Sequence, residues 1–165
     1  MRAESRLGSS LDSRTIDAAT PSQTNAGAHS LVKALRDVPG LAPLADETLL
    51  EIVGDSANLV WNAGATVYEA GTPGDALYIL LSGRVCVLGE GGREIATLEA
   101  GSFFGEMSLL VGAAHAQTVE AVEHTELMVV PKGRFDAIMA ANGEAAAAIR
   151  ARAEERHAQN LRATS

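Results

Sequence analysis

Residues 101–119 interrupt a strand-like stretch of sequence with Gly-Ser-Phe-Phe-Gly-Glu and then an apolar turn at residues 107–110. A β domain has no structural need for such an insert, so the segment is read as holding something. Gly101 and Gly105 allow tight backbone turns. One helical turn after them has unpaired N–H groups directed at the loop, a ready place for a phosphate. Glu106 opens that turn. A carboxylate there repels a phosphate on the same spot, but as an acceptor it suits a sugar hydroxyl. Phosphate on N–H groups with ribose on a carboxylate describes a nucleotide site. The bland reading of Glu106 is an acid that stabilises only the start of its own turn.

The surrounding pattern states which elements must position this segment. From residue 60 to 130, short runs of Val, Ile, Leu, Tyr and Thr are separated by Gly or Pro, the mark of closely spaced strands. Expected strands are 59–61, 66–69, 76–82, 85–88, 94–98, 118–121 and 125–131. Gly91-Gly92 supplies the positive φ angles of a tight hairpin, which pairs 85–88 with 94–98. Such strands suggest a small barrel or jelly roll. Ahead of them, Ser30 caps a short helix ending at Pro39-Gly40, and Asp46 caps a second with Leu49, Leu50 and Val53 on one face. Behind them, 134–141 is helical up to Asn142-Gly143, and 144–160 has high helix propensity from its alanines. The stripe on that last helix, Ala145, Ala148, Ile149, Ala153 and Leu161, is shallow. Residues 1–28 show no periodicity and are expected to be disordered or linker. The domain is then 29–165, with helices at 30–55, a β roll at 59–131 and helices at 134–160.

Composition narrows the function classes. The 165 residues are 47% hydrophobic and carry a formal net charge of −8. That length supports one core without a disulfide or metal. The acidic balance disfavours direct DNA binding, which needs a basic face. Cys86 is the single cysteine, which excludes an internal disulfide framework, fits a reducing compartment and makes the cytoplasm the expected location. No run of residues is apolar and long enough for a membrane helix. No metal site is expected, and His29, His124 and His157 are isolated from one another. No nucleophile–base grouping supports catalysis, so the chain is not expected to be an enzyme. Trp61, Tyr68, Tyr78, Phe103, Phe104 and Cys86 are read as packing residues, and Arg150, Arg152 and Arg156 with Glu154 and Glu155 as a solvated helix face.

With these residues in view, the sequence resembles the cyclic nucleotide-binding domain found in bacterial regulators, protein kinase regulatory subunits and nucleotide-gated channels. That family's phosphate-binding cassette reads Phe-Gly-Glu-Leu-Ala-Leu-Leu, four spacer residues, then Arg, any residue, Ala, Thr. Residues 104–110 read Phe-Gly-Glu-Met-Ser-Leu-Leu, and Thr118-Val119 fall on the closing pair without a gap. Residues 69–80 and Gly83 are similar to the family's Gly-Asp-x-x-Tyr strand and turn. The resemblance implies a helix-flanked β jelly roll. It further implies that Glu106, after Gly105, accepts the ribose 2′-hydroxyl, and that the N–H groups of Met107, Ser108 and Ala116 hold the cyclic phosphate, with Thr118 closing the cassette. Ala116 stands where a threonine would favour guanine, so cAMP is expected over cGMP. The helix carrying Ile149 and Ala153 looks like the lid that closes over the base, and it is a candidate surface for a protein partner or a homo-oligomer.

One position departs from the family. The phosphate-pairing arginine falls on His115, its preceding proline on Ala114 and the following small residue on Gln117. Imidazole offers one donor and is mostly neutral at pH 7 unless an anion raises its pKa. Replacing two charge-assisted hydrogen bonds by one weaker bond costs roughly tenfold to a thousandfold in affinity. Between residues 60 and 130 the basic side chains besides histidine are Arg84 and Arg93, both expected near turns and outside. The sequence supports a nucleotide sensor whose lid helix shifts on binding. Its alternatives are a domain of the same fold that no longer binds nucleotide and serves protein interaction, and a soluble regulatory piece of a channel. The transcription-factor branch is disfavoured, because about twenty residues follow Gly143, too few for its winged-helix DNA reader.

Overall fold

A computed structural model describes residues 19–21 and 27–164. Two helices, α1 (Ala28–Arg36) and α2 (Asp46–Asp55), precede the roll. The strands are β1 (Ala19–Pro21), β2 (Ala57–Trp61), β3 (Thr66–Tyr68), β4 (Ala76–Ser82), β5 (Arg84–Leu88), β6 (Glu94–Glu99), β7 (Phe103–Phe104), β8 (Thr118–Ala121) and β9 (Thr125–Pro131). Helix α3 (Glu106–Val111) lies between β7 and β8, and α4 (Lys132–Ala141) and α5 (Gly143–Thr164) follow β9. The strands form two antiparallel sheets, ordered β1-β2-β9-β4-β7 and β3-β8-β5-β6. The chain is therefore mainly β with flanking helices, as the strand pattern implied.

The two cores follow from which face each strand residue takes. Ala76, Tyr78 and Leu80 of β4 and Leu127 and Val129 of β9 point between the sheets, where they meet Trp61, Val85, Phe104 and Val119. Their alternating neighbours Leu77, Ile79, Met128 and Val130 point the other way, against Leu35, Leu49, Ile52, Phe135 and Ile149 from the helices. Both faces of β4 and β9 are thus covered, which is why these strands read as continuous apolar runs rather than alternating ones. Arg134 ties α4 to α2 through Asp55 at 2.5 Å and Glu51 at 3.4 Å.

Several expectations need correction. Residues 19–21 lie within the stretch read as linker, yet they form β1 and pair with residues 59–61 of β2; the rest of 1–18 and 22–26 lies outside the described residues. Backbone pairing to an existing edge orders a segment that has no pattern of its own. The short strand β7 was not expected, because two residues are too few to show a period; Phe103 and Phe104 pair with Ile79 and Tyr78. Helix α1 begins before Ser30, and Asp46 is the first residue of α2 rather than its cap, with its carboxylate bonded to Arg36. Leu161 is 56% exposed and not part of a buried stripe. The β5–β6 hairpin is as expected, with φ of 73° at Gly91 and 80° at Gly92.

Candidate functional site

The cassette is built on the inner core. The Phe104 ring lies nearly parallel to Tyr78 at 5.2 Å, which fixes the end of β7. Gly105 then turns the chain with φ of 84°, and a Cβ there would sit 3.0 Å from the Tyr78 ring. Both the conformation and the space call for glycine. Helix α3 starts at once, with Glu106 buried in its first turn. The loop after β3 holds the far end of the segment. Gly71 N–H donates to the His115 carbonyl at 2.8 Å, and His115 N–H donates to the Thr72 carbonyl at 2.9 Å. Ala70 N–H donates to Thr118 Oγ1 at 3.0 Å. A Cβ on Gly74 would fall 2.1 Å from that of Ser108, so the Gly-Asp loop seats directly against α3. The motif at residues 69–80 thus acts at a distance along the chain: it sets the position of the cassette.

A cavity of about 240 Å³ opens between this cassette and α5. Gly105, Glu106, Met107, Ser108, His115 and Ala116 line one side of it, and Ala153, Arg156, His157 and Asn160 of α5 line the other. Val87 and Leu98 of the roll are among its apolar lining. Of the residues singled out in the sequence, Thr118 and Ile149 lie outside the lining. The Thr118 hydroxyl serves the β3 loop, and Ile149 is buried in the helical core, where its Cγ1 would be 2.8 Å from a Cβ on Gly40.

His115 is 4% exposed. Its ring stacks on Tyr68 at 3.5 Å, Nδ1 shares a 2.8 Å hydrogen bond with Ser108 Oγ, and Nε2 is buried without a hydrogen-bond partner among the described residues. Burial pushes its pKa down to about 4, so at neutral pH the imidazole brings no charge to the cavity.

Arg156 was missed by the sequence reading, which grouped it with a solvated face. It is 8% exposed and does the opposite of solvating. It follows Ala153 by three positions and Ile149 by seven, so it continues the buried stripe of α5; that spacing was the available signal. Its Nη1 donates to the Phe103 carbonyl and lies 3.4 Å from Glu106 Oε1, and its guanidinium sits 5.4 Å from the centre of the Phe103 ring. Burial raises the Glu106 pKa, with the Arg156 charge and its own backbone N–H pulling the other way. Burial likewise lowers the Arg156 pKa against the opposing pull of Glu106. For both partners desolvation outweighs the attraction across 3.4 Å. By contrast Arg84 is outside, paired with Glu123 at 3.1 Å, and Arg152 pairs with Glu155 at 2.9 Å.

A jelly roll with a glycine-turned cassette, a buried carboxylate and a covering C-terminal helix defines a class of ligand-binding regulatory domain. Residues 59–142 match the cyclic nucleotide-binding domain, and the chain belongs to that family. A cyclic nucleotide-gated potassium channel of Rhizobium etli is 33% identical over 119 residues, which are 72% of this chain and 33% of the channel. The chain thus spans about a third of that relative's length. Among solved structures, the Thermus thermophilus catabolite activator protein superposes with a TM-score of 0.63 at 28% identity, covering 73% of this chain and 58% of that one. The regulatory domain of Toxoplasma gondii protein kinase A, crystallised with cAMP, does so with a TM-score of 0.63 at 26% identity, covering 71% and 46%. Among the described residues no helix is long and apolar enough to cross a membrane.

Proposed function

We propose that this domain binds cAMP in the cavity beneath α5 and passes the occupancy on by shifting that helix. The observation that carries the reading is Glu106: a carboxylate 3% exposed, in the cassette, facing a cavity, with its nearest cation as far as 3.4 Å away. A buried acid with unfilled acceptor capacity is costly unless a donor arrives, and a ribose hydroxyl is such a donor. The match to the family cassette and the cAMP complex of the Toxoplasma relative support it. Ala116 offers no hydroxyl to a guanine, which favours adenine. Occupancy moves α5 only to the extent that ligand binds its two positions with different affinity.

Calorimetric titration with cAMP and cGMP at pH 6 and pH 8 tests the reading. Expected are saturable binding, tighter for cAMP, and a loss of roughly tenfold to a hundredfold in Glu106→Ala, the worth of a hydrogen bond to a charged group. Equal affinities at the two pH values follow if His115 stays neutral across that range. A second reading, a non-binding interaction module of the same fold, is favoured by one observation, the absence of an arginine at position 115. No heat from either nucleotide at millimolar concentration would establish it over the first.

A further inference from the structure

We propose that Arg156, carried on α5, is the cation that pairs with the cyclic phosphate in this domain, in the role that the cassette leaves unfilled at His115. This rests on the nucleotide reading above and assigns its missing charge. Arg156 is the one permanently charged cation among the described residues that line the cavity. His115 is locked by Ser108, Tyr68 and two backbone hydrogen bonds, and carries no charge at neutral pH. Arg84 and Arg152 are engaged outside with Glu123 and Glu155.

The way Arg156 is held fits the role. The Phe103 carbonyl and ring fix the guanidinium from one side, and its polar contacts to Phe103 and Glu106 both use Nη1. Among the described residues the Nε–Nη2 edge donates no hydrogen bond, and that edge is the fork that grips an oxyanion in two places. Arg156 lines the cavity, so an anionic ligand held there can supply the acceptors that this edge lacks. The 3.4 Å contact to Glu106 is a placeholder for both groups. On binding, the ribose hydroxyl donates to Glu106 and the phosphate oxygens accept from Arg156, so one long ion pair is exchanged for two contacts to the same ligand. With the cation on the lid and not in the cassette, capture of the phosphate draws directly on α5.

The test is cAMP affinity in the wild type, Arg156→Ala, Arg156→Lys and the pair Arg156→Ala/His115→Arg, by calorimetry. The expected result is a loss of tenfold to a hundredfold in Arg156→Ala, a smaller loss in Arg156→Lys, and recovery of at least tenfold when His115→Arg returns a cation to the cassette. Arg156→Lys keeps the comparison open if the alanine variant does not fold. Unchanged or tighter binding in Arg156→Ala overturns the assignment, because Arg156 then only plugs the site. A loss that His115→Arg does not recover also overturns it, because Arg156 then only anchors the helix. Either result leaves the nucleotide reading standing, whereas a wild type that binds neither cAMP nor cGMP overturns both.

Discussion

The two walls of the cavity are made in opposite ways. The cassette wall is an outgrowth of the inner core: Phe104 stacks on Tyr78, Gly105 turns at a positive φ close against the Tyr78 ring, Gly74 seats against Ser108 where no Cβ fits, and the β3 loop clasps the backbone of His115. The other wall is the single helix α5, whose buried apolar residues are alanines and Ile149. Ala145 and Ile149 are buried in the helical core, Ala153 is buried at the cavity, and Arg156 is the buried polar residue beside it. Alanines bury little apolar area, and hydrophobic stabilisation scales with that area at about 25 cal/mol per Å². Shape is therefore built into the cassette wall, and the permanent charge stands on the α5 wall.

The largest expected effect is on the cassette wall. Phe104→Ala removes a ring that is 2% exposed and should cost about 3 to 5 kcal/mol in urea unfolding; a loss near zero would mean that the wall is not anchored in the core. Next is the pH response of His115. Its ordinary pKa of 6.5 falls to about 4 in the folded chain, so the unfolded state takes up a proton first as pH drops. Stability present above pH 6.5 is lost between 6.5 and about 4, by up to about 3 kcal/mol. Glu106, raised by burial, works in the opposite sense as pH rises from its ordinary range. The difference between wild type and His115→Gln isolates the histidine, and identical pH slopes would show that His115 is not held neutral. The smallest effect belongs to the outer face of α5. Arg152→Ala breaks a surface pair with Glu155 whose side chains are 36% and 58% exposed and should change stability by less than about 0.5 kcal/mol. A larger change would mean that this face is covered rather than solvated.

Much of this was legible in the residues. The period of the strands, the Gly91-Gly92 hairpin and the Phe-Gly-Glu segment are local signals, because side-chain alternation, positive φ and a helix start depend on near neighbours. That Glu106, Met107, Ser108, His115 and Ala116 share a cavity follows from their closeness in the chain. β1 was not legible, since it is ordered by an edge of β2 and not by its own sequence. Nor was the role of residues 69–75, whose hydrogen bonds run to positions more than forty residues on.

Arg156 marks the boundary most clearly. From sequence it is one of several charges on a long helix, and a charged residue is normally exposed. Its contact with Glu106 spans fifty residues, a separation that no local pattern encodes. The sequence by itself determined the roll, its cassette and the chemistry that the cassette invites, because each is written in short-range pattern. Only the tertiary structure decided that His115 is buried and neutral and that Arg156 of α5 faces Glu106, because burial and long-range charge pairing exist only once the helix is packed against the roll.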